Sequence, residues 1–525
     1  MGNQKQEGRH LLAKNSIFNL FGQILPMLVG IVTIPYIVKG LGPDGYGILS
    51  IAYLVLGYFG IFDLGLSRAT VKFVAEHLSP DKVHKVPGLV WTSLSLLVAL
   101  GCTVGAISAA FVPVAVTHFF KMPPSFEGQA KTALFILSLS MPIMLSNDAL
   151  RGVLEAAQRF DFVNYVKVPA SILFYLFAAL LIPFGVHVSG IVFVLVLIRF
   201  TSSIAYLSFC FRVFPELRKG IRISKEAFRP LTVFGGWIMV SNLMGPIFGY
   251  LERFMIASIL SVGMLTYYSV PFDLVGKILI FPASVVPSLF PYFSYHGARS
   301  RQEVSEVTSR VMKYLFLVMT PIIAVFVFFA KDILTLWIGA QFASQSATVL
   351  RIVAFLFFLN AFAMIPFTSV QALGRPDLKA ILDMIVLPIY AVGAWWLMHR
   401  MGVNGAALAK LFITILDCTV LYVFAQRLRA FSLRDCFSGP LFRAIAASGG
   451  LFLAVFLVSR LHVSLIVSAC LLVVCFACYA GIFWIVAVDD EDRITLRGLI
   501  ERALFVVKLK TATPSIEITG NDAGI

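Results

Sequence analysis

The chain has 525 residues, 59% of them hydrophobic and only 13% charged, with a mean hydropathy of +0.90. A soluble domain carries about 25% charged residues, so this chain lacks the charge to cover the surfaces of two to four soluble domains, and its composition also excludes disordered, collagen-like and disulfide-rich proteins. Its net charge of +15 comes from 42 Lys and Arg against 27 Asp and Glu; such an excess fits nucleic acid, anionic lipid or the loops of an inner-membrane protein.

Apolar runs bounded by charged or turn residues predict fourteen membrane helices. In chain order they are spans 1–14 at 16–38, 46–69, 88–116, 132–151, 162–184, 187–211, 231–259, 265–293, 314–330, 347–373, 379–399, 402–426, 440–460 and 463–488. Several hold prolines, among them Pro26, Pro35, Pro142, Pro246, Pro282, Pro287 and Pro366. Spanning helices tolerate these because neighbouring helices or water satisfy the freed carbonyls. The first run exceeds twenty residues and lacks a small-residue cleavage site, so it reads as a span and not a signal peptide. The loops are too short to hold a folded domain.

With the N-terminus inside, about 31 basic residues fall on the inner side and about 6 outside: Lys39, Lys121, Lys131, Lys331, Arg400 and Arg460. That bias predicts cytoplasmic termini. It also explains the +15 without nucleic acid. The seven cysteines lie mostly in apolar spans, and the Cys475/Cys478 pair in span 14 lacks His or a second pair for a metal or redox site.

The chain is self-similar at an offset of about 215–223 residues. Arg151-Gly-Val-Leu-Glu-Ala-Ala-Gln-Arg159 and Phe184-Gly-Val-His-Val-Ser-Gly190 correspond to Thr368-Ser-Val-Gln-Ala-Leu-Gly-Arg375 and Met401-Gly-Val-Asn-Gly-Ala406. Asn19 and Gly22 likewise match Asn242 and Gly245. Six spans per repeat preserve orientation, so the repeats are parallel. The expected division is a cytoplasmic tail at 1–15, an N-lobe at 16–211, a basic linker at 212–230, a C-lobe at 231–426, two added helices within 440–488 and a tail at 489–525. Leu496, Leu499, Ile500 and Leu504, alternating with Arg497, Glu501, Arg502 and Lys508, read as an interfacial amphipathic helix, with disorder expected after Lys510. The fold class is an all-α polytopic membrane protein of two six-helix lobes plus two C-terminal helices.

A charge at the bilayer centre costs about 2.5–3.5 kcal/mol on insertion scales and needs a cavity or a partner. Asp63, Asp148 and Asp383 sit near inner helix ends, within reach of water or interfacial Arg and Lys, and Arg351 lies near an outer edge, where it snorkels. Arg199, in mid-span 6, has no carboxylate one turn away. Glu252 and Arg253 are adjacent, about 100° apart on their helix, and cannot neutralise each other well. Asp273 and Lys277, at i and i+4, are expected to pair along span 8. Lys410 and Asp417 share a face of span 12 and could line one wet wall. Arg253, Arg199, Lys277 and Lys410 are therefore candidate ligands for an anionic group, and Glu252, Asp273 and Asp417 candidate carriers of a coupling ion. For each, a purely structural ion pair remains the competing reading. The glycine pairs Gly101/Gly105 and Gly245/Gly249 read as packing devices.

Three segments, Asn15-Ser-Ile-Phe-Asn-Leu-Phe-Gly22, Leu41-Gly-Pro-Asp-Gly-Tyr-Gly-Ile48 and Phe62-Asp-Leu-Gly-Leu-Ser-Arg68, open the chain. With Leu251-Glu-Arg-Phe-Met-Ile256 and Gln371-Ala-Leu-Gly-Arg-Pro376, their order and spacing over 11–430 resemble bacterial oligosaccharide flippases. These are the O-antigen and exopolysaccharide translocases of the multidrug/oligosaccharidyl-lipid/polysaccharide exporter superfamily. Glu252 departs from that pattern, in which Asp is usual. The resemblance implies two lobes around a cavity open alternately to each side, and no enzyme activity. It implies an undecaprenyl-pyrophosphate-linked oligosaccharide as substrate, moved across the cytoplasmic (inner) membrane with its polyprenyl tail in lipid. It also implies no cofactor beyond proton or sodium coupling, and other glycan-assembly membrane proteins as partners. A multidrug antiporter of the same superfamily is the nearest alternative. A membrane polysaccharide polymerase or ligase is a further one, disfavoured by the short outer loops.

Overall fold

In the computed structural model of the chain the described residues are 2–488 apart from 64, 80, 243, 297–299, 429, 437–438 and 462; side chains are not described at 2–23, 57–62, 234–246, 296, 433 and 435. The Asn19/Gly22–Asn242/Gly245 side-chain match, the Gly245 member of its glycine pair, the predicted helix at 496–508 and the tail after it lie outside what is described.

Among the described residues the chain is helical throughout, without strands. Eleven helical segments are long and apolar enough to cross a membrane. Two of them are double spans. Gly2–Phe62 bends at Gly42 (φ 69°) into spans 1 and 2, and Pro376–Arg427 bends at Gly402 (φ 57°) into spans 11 and 12. These positive φ values are costly for a residue with a Cβ, so glycine sets where the chain reverses. Span 7 is assembled from Lys225–Asn242, Met244–Met255 and a π turn at Ile256–Leu260, which completes the fourteen. The face on which span 1 begins, predicted by the charge bias to be cytoplasmic, is called the inner face.

The expected limits move most in two places. Span 9 runs Arg301–Phe328, starting well before 314 because Ser300 caps it by accepting from the Glu303 amide at 3.4 Å. Span 8, expected as one helix, is broken into Val262–Gly276, Ile280–Val285 and Leu289–His296 by tight turns at Lys277–Leu279 and Val286–Ser288. Pro282 and Pro287 cause this, since each lacks the amide that would bond four residues back.

Spans 1–6 pack together, as do spans 7–12. Spans 13 (Gly439–Arg460) and 14 (Leu465–Val486) lie outside on span 9, around a separate apolar cluster that includes Ala324, Leu451, Val455 and Phe483. Two turns at corresponding positions of the expected repeat make like local contacts. Gln158 (φ 56°) and Gly374 (φ 75°) both turn the chain after a long helix. Immediately afterwards Arg159 holds Asp161 (Nη2–Oδ2 2.7 Å) as Arg375 holds Asp377 (2.9 Å). Spans 3 and 4 touch through Gly101 and Gly105: a Cβ at either would come within 2.5 Å of Pro142 Cα or the Ser138 carbonyl oxygen.

The lobes are joined at their outer ends. The Lys121 amide donates to the Ala257 carbonyl at 3.0 Å, and the Val262 amide donates to the Lys121 carbonyl at 2.9 Å. Lys121 Nζ reaches the Ile259 carbonyl at 2.6 Å, Thr266 donates to Pro43 at 2.6 Å, and Trp337 donates to Ile31 at 2.8 Å. The cavities lie beneath this seal, in the middle and inner half of the bundle. The bundle is thus closed at the ends joined by Lys121, Ala257 and Val262.

Candidate functional site

Spans 7, 8, 10, 11 and 12 enclose a cavity of about 700 Å³ within the C-lobe, into which Lys379, Lys410, Asp383 and Asp417 project with Arg253, Asp273 and Lys277. The wall from span 11 is a helical stripe of Lys379, Asp383 and Val386; Tyr390, four residues on along the same face, is buried against Glu252. Lys410, Ile413, Thr414, Asp417 and Leu421 form such a stripe on span 12.

Nearly every charge on this wall is matched. Glu252 is wholly buried and accepts from Tyr268 (3.2 Å), Tyr390 (2.8 Å) and Lys410 Nζ (3.2 Å). Lys410 also donates to the Phe248 carbonyl. Arg253, 5% exposed, donates to Asp273 Oδ1 at 2.6 Å and lies 4.8 Å from the Phe272 ring centre, while its Nε has no partner. Lys379 pairs with Asp417 at 2.9 Å and with Asp383. The adjacent Glu252 and Arg253 are thus neutralised by different helices, as their angular separation requires.

The expected Asp273–Lys277 pair is corrected. Asp273 turns to Arg253 on span 7, and the helix tightens at Lys277–Leu279, where about three residues per turn break the i, i+4 register. Lys277 is left exposed to the cavities with no carboxylate within 4 Å among the described residues. A smaller cavity of about 250 Å³ lies between the lobes, where Arg199 from span 6 meets Arg253, Asp273 and Lys277 alongside Tyr53 and Tyr175. Arg199 likewise has no carboxylate within 4 Å among the described residues; its guanidinium sits 6.0 Å from the Phe174 ring centre. Of the residues singled out in the sequence, Arg199, Arg253, Asp273 and Lys277 converge on this interlobe space, Lys410 and Asp417 line the C-lobe cavity, and Glu252 is sealed behind Lys410.

Asp148 reaches Arg151 (3.5 Å), and Arg351 donates to the Val327 carbonyl at 3.2 Å. Asp63 instead accepts from the Gly65 amide at 2.7 Å, serving a turn. Asp383, read as interfacial, belongs to the cavity wall. Lys379, Tyr268 and Tyr390 were not singled out either, although the span 11 spacing carries two of them. Cys475 and Cys478 are free thiols, and no cluster of metal-ligating side chains occurs among the described residues.

A two-lobed helical bundle with charged cavities buried between and within its lobes defines a multi-pass membrane transporter. The chain belongs to the polysaccharide biosynthesis protein family, whose profile matches residues 12–296. It is 29% identical over 411 residues to a Shigella flexneri protein named "Putative O-antigen transporter", covering 78% of this chain and 96% of that one. Among solved structures it resembles the lipid II flippase MurJ in an inward closed conformation (TM-score 0.63, 14% identity, 90% of this chain and 99% of that one). It also resembles an inward-facing multidrug resistance MATE family transporter of the MOP superfamily (TM-score 0.62, 16% identity, 77% and 95%). At these identities the likeness is one of fold.

Proposed function

We propose that the protein is a flippase for undecaprenyl-pyrophosphate-linked oligosaccharides in the bacterial inner membrane, with both termini in the cytoplasm. It works by alternating access. The lipid-borne head group enters the inner-half cavities, the lobes rock about the outer seal, and the polyprenyl tail stays in lipid. The observation that carries this reading is the meeting of Arg199 and Lys277, one from each lobe and neither with a carboxylate within 4 Å among the described residues, in one mid-membrane cavity. Phosphate oxygens leaving water need such donors. The Shigella relative's name supports glycan as the cargo.

Proton or sodium coupling belongs to the same proposal. Asp383 and Asp417 share the single ammonium of Lys379, so that cluster holds one carboxylate in excess beside a wet cavity. Asp417 is the better carrier candidate, because Asp273 and Glu252 are each held by a cation of their own.

The test is depletion of the protein in its host, with surface glycan and inner-leaflet lipid-linked oligosaccharide measured together. Loss of surface glycan with accumulation of the lipid-linked precursor is expected. Unchanged glycan with reduced efflux of cationic drugs would instead identify an antiporter.

A further inference from the structure

Spans 4, 5 and 6 enclose a pocket of about 290 Å³ inside the N-lobe, lined by Asn147, Arg151, Lys167, Tyr175, Arg199 and Ser202, among others, with no carboxylate on its wall. Three cations line it. Arg151 is held by Asp148 (3.5 Å) and Glu155 (3.3 Å) outside the pocket. Among the described residues Lys167 and Arg199 have no carboxylate within 4 Å, and the Lys167 side chain is exposed. At 1.5 Å per residue, Lys167 stands about 10 Å from the inner end of span 5 and Arg199 about 21 Å from the inner end of span 6. The unpaired cations therefore step from the inner face to the bilayer centre. Arg199, Phe174 and Tyr175 also line the interlobe cavity, so the two spaces adjoin.

The C-lobe cavity is built differently. Its Arg253, Lys379 and Lys410 are each matched to a carboxylate, which leaves Lys277 as its uncompensated cation among the described residues. An anion gains most from donors whose charge is not already spent on a fixed partner, because displacing an internal carboxylate cancels the gain.

We propose that the pocket between spans 4, 5 and 6 is a capture site for the phosphoryl group of a lipid-borne phosphate ester. Lys167 makes the first contact, and Arg199 passes the group to the interlobe cavity. The charge-cancelled C-lobe cavity takes the uncharged part of the cargo. This rests on the flippase reading and adds to it a site, an order of contacts and a division of labour between the lobes.

The experiment titrates the detergent-purified full chain with farnesyl pyrophosphate and, separately, with inorganic pyrophosphate. Farnesyl pyrophosphate is expected to bind the more tightly, and Lys167→Gln/Arg199→Gln to weaken it at least tenfold. Lys131→Gln, on the outer surface, is expected to change it less than twofold. Lys167→Glu, a change at an exposed side chain that leaves nothing newly buried, provides a second variant whose folding is not at risk; its binding is expected to fall further than that of Lys167→Gln. Unchanged affinity in folded Lys167→Glu overturns the proposal. Equal affinity for the two probes also overturns it, assigning the pocket to a soluble anion. Failure here is distinct from failure of the flippase reading: normal glycan export by the Lys167→Glu/Arg199→Gln chain sinks the capture site alone, whereas normal export without the protein sinks the function.

Discussion

Removing Lys410 should expose how strongly the Glu252 carboxylate depends on it. Glu252 is 0% exposed and has three donors: Tyr268, Tyr390 and Lys410. At the observed 3.2 Å and an effective dielectric of about 20, the ion-pair attraction is about 5 kcal/mol, most of it offset by desolvation of both groups. Lys410→Met leaves a buried carboxylate with two neutral donors, and the expected loss of stability is about 3–4 kcal/mol. Glu252→Gln should cost less, about 1–2 kcal/mol, because Lys410 keeps the Phe248 carbonyl and its side chain is 12% exposed to the cavity. The double variant should recover part of the loss, giving a coupling of about 2–3 kcal/mol. The measurement is unfolding of the purified protein in mixed micelles by dodecyl sulfate, followed by the fluorescence of its six tryptophans. Strictly additive losses, with coupling below about 0.5 kcal/mol, would refute the reasoning: the two groups would not act as an ion pair.

Three further outcomes are expected. Val262→Pro removes one amide of the outer seal, yet proline is tolerated at the first position of a helix; losing a bond of about 1 kcal/mol should raise labelling of a cysteine placed at Leu54 by an impermeant outer-face thiol reagent about fivefold, and unaltered labelling would show that the seal does not set the outward population. Gly101→Ala forces a methyl to within 2.5 Å of Pro142 Cα and should destabilise by about 1–3 kcal/mol, whereas Gly128→Ala, with nothing within 4 Å, should be neutral or stabilising in the same unfolding assay. Arg159→Ala and Arg375→Ala remove equivalent exposed pairs of the two lobes and should each cost under about 1 kcal/mol; a loss several times larger in one lobe would mean that the two turns have diverged in function.

Much of this architecture was legible because membrane insertion writes it coarsely, in long apolar runs bounded by charged and turn residues, and the Gln158–Asp161 and Gly374–Asp377 turns make the same local contacts. The charge pairing was less so. A sequence shows neighbours along one helix, and the Asp273–Lys277 spacing invited a local pair, but both strong pairs of span 7 cross between helices: Glu252 with Lys410 and Arg253 with Asp273. Tertiary packing decides such partners. Lys379 and Asp383 lay near a predicted helix end and so looked solvated. The stripe they form with Val386 and Tyr390 was readable, but which neighbour it faced was not. Lys167 escaped for the same reason, being counted with the inner loops although it stands inside span 5.

The cancellation of charge along spans 11 and 12 has a kinetic side. A carrier must let go as readily as it takes hold, and dwell time grows exponentially with binding free energy. A wall of ion pairs with one carboxylate in excess offers many weak dipolar contacts to sugar hydroxyls and no cationic trap for an anion. Such a surface tolerates cargo of varied composition, with release limited by how long the few unpaired cations of the opposite lobe retain their anion.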